Sequence, residues 1–112
     1  MRWIAVLLLG AGLAWAALGG GAQAASAEIA LTIEKNQFQP AEIKVKAGAP
    51  FVLVITNKDA TAEEFESKEL RIEKVIPAGK TVRVRVPALK AGTYGFVGEY
   101  HEKTAKGRIV AE

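Results

Sequence analysis

The sequence predicts an all-β domain, a sandwich or barrel built of about seven short strands, and three observations carry that expectation. Apolar and polar residues alternate in short runs from Glu28 onward. Turn-forming residues separate those runs at close intervals, and no stretch carries an apolar stripe of clean helical spacing.

The elements follow in order. Ile29, Leu31 and Ile33 share one parity and Glu28, Ala30, Thr32 and Glu34 the other, the pattern of a half-buried strand. Asn36 to Pro40 interrupts it with Phe38 turned inward, and alternation resumes over Glu42 to Lys46 with Ile43 and Val45 on the core side. After a turn at Ala47-Gly48, Phe51 to Ile55 is apolar throughout, which predicts a central strand covered on both faces or lying in the middle of a sandwich. It ends in the turn-forming cluster Thr56-Asn57-Lys58-Asp59. Thr61 to Lys74 is ambiguous. Its glutamates, lysines and arginine permit i,i+4 helical pairs, but Phe65, Leu70, Ile72, Val75 and Ile76 make no helical stripe, so the expected structure is a short strand near Glu64 to Ser67, an irregular excursion and an extended run into Ile76. Pro77 to Lys80 is a turn, and Val82, Val84 and Val86 then alternate with Arg83 and Arg85. Thr93 to Val97 is an aromatic strand, and Arg108 to Glu112 is the last one.

Ahead of these strands stands a leader. Met1-Arg2, an apolar block from Trp3 to Leu18, three glycines and Ala22-Gln23-Ala24 have the three parts of a secretory signal peptide. Cleavage is expected after Ala24, with a second possible site after Ala27, which makes residues 1–24 the signal peptide and 25–112 one domain. The formal charge of +3 falls to +2 when Arg2 is removed, too mild a balance for a nucleic-acid partner. With no cysteine in the chain, there is no disulfide, no thiolate ligand and no lipoprotein anchor after cleavage.

The residues that could carry chemistry gather around the only histidine. The stretch from Tyr94 to Gly107 reads as a strand breaking into a polar loop that holds Glu99, His101 and Glu102 within four residues, a donor density that suits a divalent or trivalent cation. Glu63 shares the parity of Phe65, so a core phenylalanine implies an inward carboxylate, which is costly to bury unless paired or bound to a cation. Glu64 and Glu66 have the opposite parity, and the irregular stretch that follows could bring Glu66 round to the site. The candidate metal ligands are therefore Glu63, Glu66, Glu99, His101 and Glu102. The competing reading of the same cluster is an ordinary solvated loop.

Phe38 to Gly48, Val54-Ile55-Thr56-Asn57 and Gly92-Thr93-Tyr94-Gly95-Phe96 together resemble the cupredoxin-like family, small Greek-key β-sandwiches of secreted copper proteins. The resemblance implies a cupredoxin-like Greek-key sandwich or barrel over nearly all of residues 25–112. It also implies where a blue-copper member would hold its metal. The first histidine position is Glu63, the cysteine position Gly98, the second histidine His101 and the methionine position Thr104, so His101 alone keeps its residue type. Without a thiolate a blue electron-transfer centre is excluded, and the missing side chain at Gly98 suggests room for a water, a ligand or a substrate ion. The Glu63-Glu64-Phe65-Glu66-Ser67 and Gly98-Glu99-Tyr100-His101 segments are similar to the cupredoxin-like domains of bacterial EfeO-type periplasmic iron-uptake components.

That likeness implies a periplasmic protein that binds an iron or copper ion. It would serve a membrane iron permease or other periplasmic iron-uptake components, by ion capture or assisted Fe(II) oxidation. Oxygen donors with one imidazole suit Fe(III), Fe(II) or Mn(II), and Cu(II) binds well at almost any such site. The rival function is a metal-free sandwich that meets protein partners through its glutamate-rich edge and through Lys44, Lys46, Arg83 and Arg85. A hydrolase is disfavoured, because a single histidine with no nucleophile beside it makes no triad.

Overall fold

The computed structural model describes residues 26–112, and the expected signal peptide lies outside the described residues. The strands are β1 (Ala27–Glu34), β2 (Gln37–Gln39), β3 (Glu42–Val45), β4 (Phe51–Asn57), β5 (Glu63–Ser67), β6 (Ile72–Ile76), β7 (Thr81–Val86), β8 (Gly92–Gly98) and β9 (Lys106–Ala111). A 3-10 turn, Glu99–His101, follows β8. The strands form two sheets, in the orders β2-β1-β4-β7 and β3-β9-β8-β5-β6. β1 runs parallel to β4, and β3 runs parallel to β9.

Nine strands stand among the described residues where alternation alone suggested about seven. Part of the difference is β2, which the sequence presents as a break. Lys35 and Asn36 adopt positive φ of 56° and 57°, turning the chain back so that Gln37 pairs with Glu34. Such a turn leaves two backbone N–H groups pointing out of the ladder, and both are met from a distance: Asp59 accepts from Lys35 at 2.8 Å and from Asn36 at 2.9 Å. The ambiguous Thr61 to Lys74 region is a β5–β6 hairpin, not a helix. Its apolar residues follow strand parity, with Phe65 and Ile76 buried between the sheets.

The core lies between the two sheets and holds Leu31, Ile33, Leu53, Ile55, Phe65, Ile76 and Ile109, all fully buried. Phe38, Phe65 and Phe96 meet at its centre, with ring centroids 4.9 to 6.0 Å apart and two of the three contacts edge-to-face. Of the two settings expected for β4, full cover on both faces is not the one found, and the strand lies inside its sheet with one face on the core. Its odd-numbered residues are buried, whereas Val52, Val54 and Thr56 are only half-buried, opposite Arg85, Arg83 and Thr81 on β7. The continuous apolar run reflects an interior strand of one sheet with a partly wet outer face.

One irregularity positions the site. β5 pairs with β8 only at Phe65–Gly98 and Glu66–Val97, and beyond that the strands part. Side chains bridge the gap: Ser67 Oγ donates to the Gly95 carbonyl at 2.8 Å, and the Gly95 N–H donates to Glu69 Oε1 at 2.7 Å. The short pairing fixes Glu63 and Glu66 against the end of β8, where the chain enters the 3-10 turn.

Candidate functional site

Glu63 begins β5 on the inward parity of Phe65 and is 1% exposed. Burying a carboxylate requires partners for its charge, and Glu63 has three. Its Oε1 accepts from the N–H groups of Glu64 and Tyr100, each at 2.9 Å, and its Oε2 stands 2.7 Å from His101 Nδ1. The imidazole is 29% exposed, so the pair runs from the core to the rim. The 3-10 turn brings these donors to one place. It presents the Tyr100 N–H and the His101 ring to one carboxylate, while the Thr104 and Ala105 N–H groups close the loop onto the His101 carbonyl.

The expected space at Gly98 is corrected by this arrangement. A Cβ at Gly98 would lie 2.6 Å from Glu63 Cδ, 2.6 Å from Glu63 Oε2 and 2.7 Å from Ala105 Cβ, so the position is already filled. No water or exogenous ion fits there alongside the Glu63 carboxylate.

Glu66 and Glu99 belong to a second cluster on the outer face of the five-stranded sheet. The Glu66 carboxyl is pushed up from its ordinary 4.5 to about 7, first by its hydrogen bond with Glu99, then by desolvation and by a hydrogen bond with Glu73. Glu64 is also raised, by desolvation and by the charges of Glu73, Glu99 and Glu63. Glu73 was not among the residues expected from sequence. It enters through the hairpin register, which sets it directly opposite Glu66, and a strand reading of 72–76 paired to 63–67 is the signal that finds it. Glu102 lines, with Glu66, Glu69, Lys68 and Lys106, a groove of about 410 Å³ on the same sheet, and it shares a second, open pocket with Glu99 and His101.

The five candidate ligands thus divide into the Glu63–His101 pair, the Glu66–Glu99 contact and Glu102. Among the described residues, no three histidine, aspartate or glutamate side chains converge as a ligand set. A resident ion of the kind the fold resemblance implies does not fit the inner position, since both oxygens of Glu63 and the inward nitrogen of His101 are committed to one another and to backbone.

The raised Glu66 pKa has a consequence for stability. An acid that binds its proton more tightly in the folded state stabilises the fold while protonated, and that contribution is fully present below about 4.5 and lost as pH rises through about 7. Stability is therefore expected to fall across that window, and Glu66→Gln to flatten the fall and raise the unfolding midpoint at pH 8 above wild type. Thermal unfolding from pH 4 to 8 checks this, and an unchanged slope in the variant would count against the cluster.

The comparisons with known proteins agree with the fold. The Cupredoxin-like domain family model matches residues 4–111. An uncharacterized protein of Rickettsia prowazekii is 35% identical over 83 residues, which span 74% of this chain and 66% of the relative, just under two thirds of its length. Among solved structures, the metal-binding domain of the Streptococcus pneumoniae Cu(I)-exporting P-type ATPase CopA, determined with Cu(I), superposes with a TM-score of 0.68 at 21% identity, covering 76% of this chain and 84% of that one. Auracyanin A, a "blue" copper protein from Chloroflexus aurantiacus, superposes with a TM-score of 0.67 at 16% identity, covering 79% and 100%. At these identities the structural matches carry the sandwich fold alone. With the family model spanning nearly its whole length, the chain belongs to the cupredoxin-like domain family.

Proposed function

We propose that this is an exported, periplasmic protein that captures an iron or copper ion as cargo for a high-affinity iron-uptake system, with a membrane iron permease or another periplasmic component as its partner. The observation that supports this reading is the hairpin register that sets Glu73 directly opposite Glu66, with Glu99 near enough to raise the Glu66 carboxyl to about 7. Like charges held close together are destabilising, and a proton on Glu66 relieves them. A cation can replace that proton, drawn to hard carboxylate oxygens and completed by water. Because such a site lies at the surface, an ion held there is accessible for transfer.

Calorimetric titration of the protein with Fe(II) under anaerobic conditions, and separately with Cu(II), tests the proposal. Saturable binding is expected, with proton release below about pH 7 as the ion displaces the Glu66 proton. Glu66→Gln and Glu99→Gln are each expected to weaken it by about tenfold, or roughly 1.4 kcal/mol. Absence of saturable binding by either ion would overturn the reading. That outcome would favour the metal-free interaction module, which the saturation of the Glu63 carboxylate by protein partners supports.

A further inference from the structure

Gly98 has no conformational reason to be glycine. Its φ of −89° and ψ of 108° are ordinary extended backbone, open to any residue. The reason lies in space, because a Cβ there would strike the Glu63 carboxylate and the Ala105 methyl. Three further facts concern the same carboxylate. It is almost wholly buried, it reaches two backbone N–H groups in different segments, and it faces an imidazole nitrogen across 2.7 Å.

We infer that Glu63 is an internal ligand: its carboxylate takes the place of a metal ion at this end of the sandwich, tying β5 to the 3-10 turn through Tyr100 and His101 while keeping ions out. The tie replaces what a bound cation does mechanically, which is to gather groups from separate segments around one centre. Here the centre is an anion, so the groups it gathers are donors: two N–H groups and an Nδ1–H. The rim is thereby closed by protein groups. The inference is independent of the cargo site on the outer face, because that site uses Glu66 and Glu99 and this one uses neither.

The test uses the wild-type protein and a double-mutant cycle. In the wild type, the Tyr100 amide is expected to be protected from hydrogen exchange although it sits in a loop. A Tyr100 amide that exchanges as freely as the exposed loop amides would overturn the inference. In the cycle, Glu63→Ala and Gly98→Ala are each expected to lower the unfolding temperature by about 10 °C. The double variant is expected to lose clearly less than both together, because the methyl at 98 enters the space that the carboxylate leaves. Additive losses would mean that the two positions do not share that space. If Gly98→Ala alone does not fold, folding of the double variant supports the inference and its failure to fold opposes it.

Titration with Cu(II) reads the exclusion separately. Glu63→Ala is expected to bind one more equivalent of Cu(II) than the wild type, and equal stoichiometries would show that the carboxylate keeps nothing out. Weak or absent binding at Glu66 and Glu99 would sink the cargo reading and leave this result standing.

Discussion

Replacing Phe65 with alanine is expected to cost about 4 kcal/mol, the largest loss from any single truncation in this domain. The side chain is fully buried and packs against both Phe38, at 6.0 Å, and Phe96, at 4.9 Å, so its removal leaves a void lined by aromatic rings from both sheets. Those neighbours cannot collapse into it easily. Phe96 is held over Gly107, where any side chain would run into its ring, and Phe38 sits on a three-residue strand fixed by its turn. A domain of this size has a total stability of about 5 to 10 kcal/mol, so the loss removes a large share of it and lowers the unfolding temperature by about 15 to 30 °C. Phe65→Leu, which keeps most of the volume, is expected to lose about half as much or less. Equilibrium urea unfolding of both variants checks the result, and equal losses would show that the site repacks around either residue.

Asn57→Leu is expected to cost about 3 kcal/mol, although it places an apolar residue in an apolar setting. Asn57 closes β4 on the inward parity and is fully buried. Its amide nitrogen donates to the Thr61 carbonyl at 2.9 Å and to the Ile76 carbonyl at 3.0 Å, and its carbonyl oxygen accepts from the Asp59 N–H at 2.9 Å. One side chain therefore satisfies backbone groups from β6 and from two points of the loop between β4 and β5. Leucine leaves all three without partners, and each orphaned group costs about 1 to 3 kcal/mol where water cannot reach it. The Asp59 contact adds a further consequence, since the same residue caps the Lys35–Asn36 turn with its carboxylate. Loss of Asn57 is thus expected to loosen the β1–β2 turn as well, seen as faster amide exchange at Lys35 and Asn36. Asn57→Asp separates shape from donor capacity. It keeps the acceptor for Asp59, sets a carboxylate against two carbonyl oxygens, and is expected to be less stable at pH 8 than at pH 4, because burial beside acceptors raises the pKa of the new acid. A pH-independent loss would mean that the amide donors contribute little.

The two clusters of acidic residues were legible to different degrees, for a physical reason. Strand parity is local, so Glu63 reads as inward from Phe65 two positions later, and the structure buries both. The opposite parity of Glu64 and Glu66 is equally local, and they face outward, half-buried. What faces each carboxylate depends on chain segments far away in sequence. Gly98 looks like an opening when only its missing side chain is considered, but the carboxylate of a residue on another strand fills it. Likewise Glu73 joins Glu66 only through the register of the β5–β6 hairpin, which a run of mixed charges does not reveal.

The amino-acid order alone determined that this chain makes an all-β sandwich or barrel, which parity of its strands faces the core, and that its one histidine sits in the loop after the aromatic strand. Each of these follows from alternation over a few neighbouring residues and from turn chemistry, which act before distant segments meet. Only the tertiary structure decided that Glu63 and His101 bind one another, that Glu66 leans on Glu99 and Glu73, and that Asn57 holds three backbone groups together. Those outcomes depend on the register of paired strands and on loops closed between them, with partners up to 38 positions apart, and a shift of one position in a strand would turn its side chains to the opposite face.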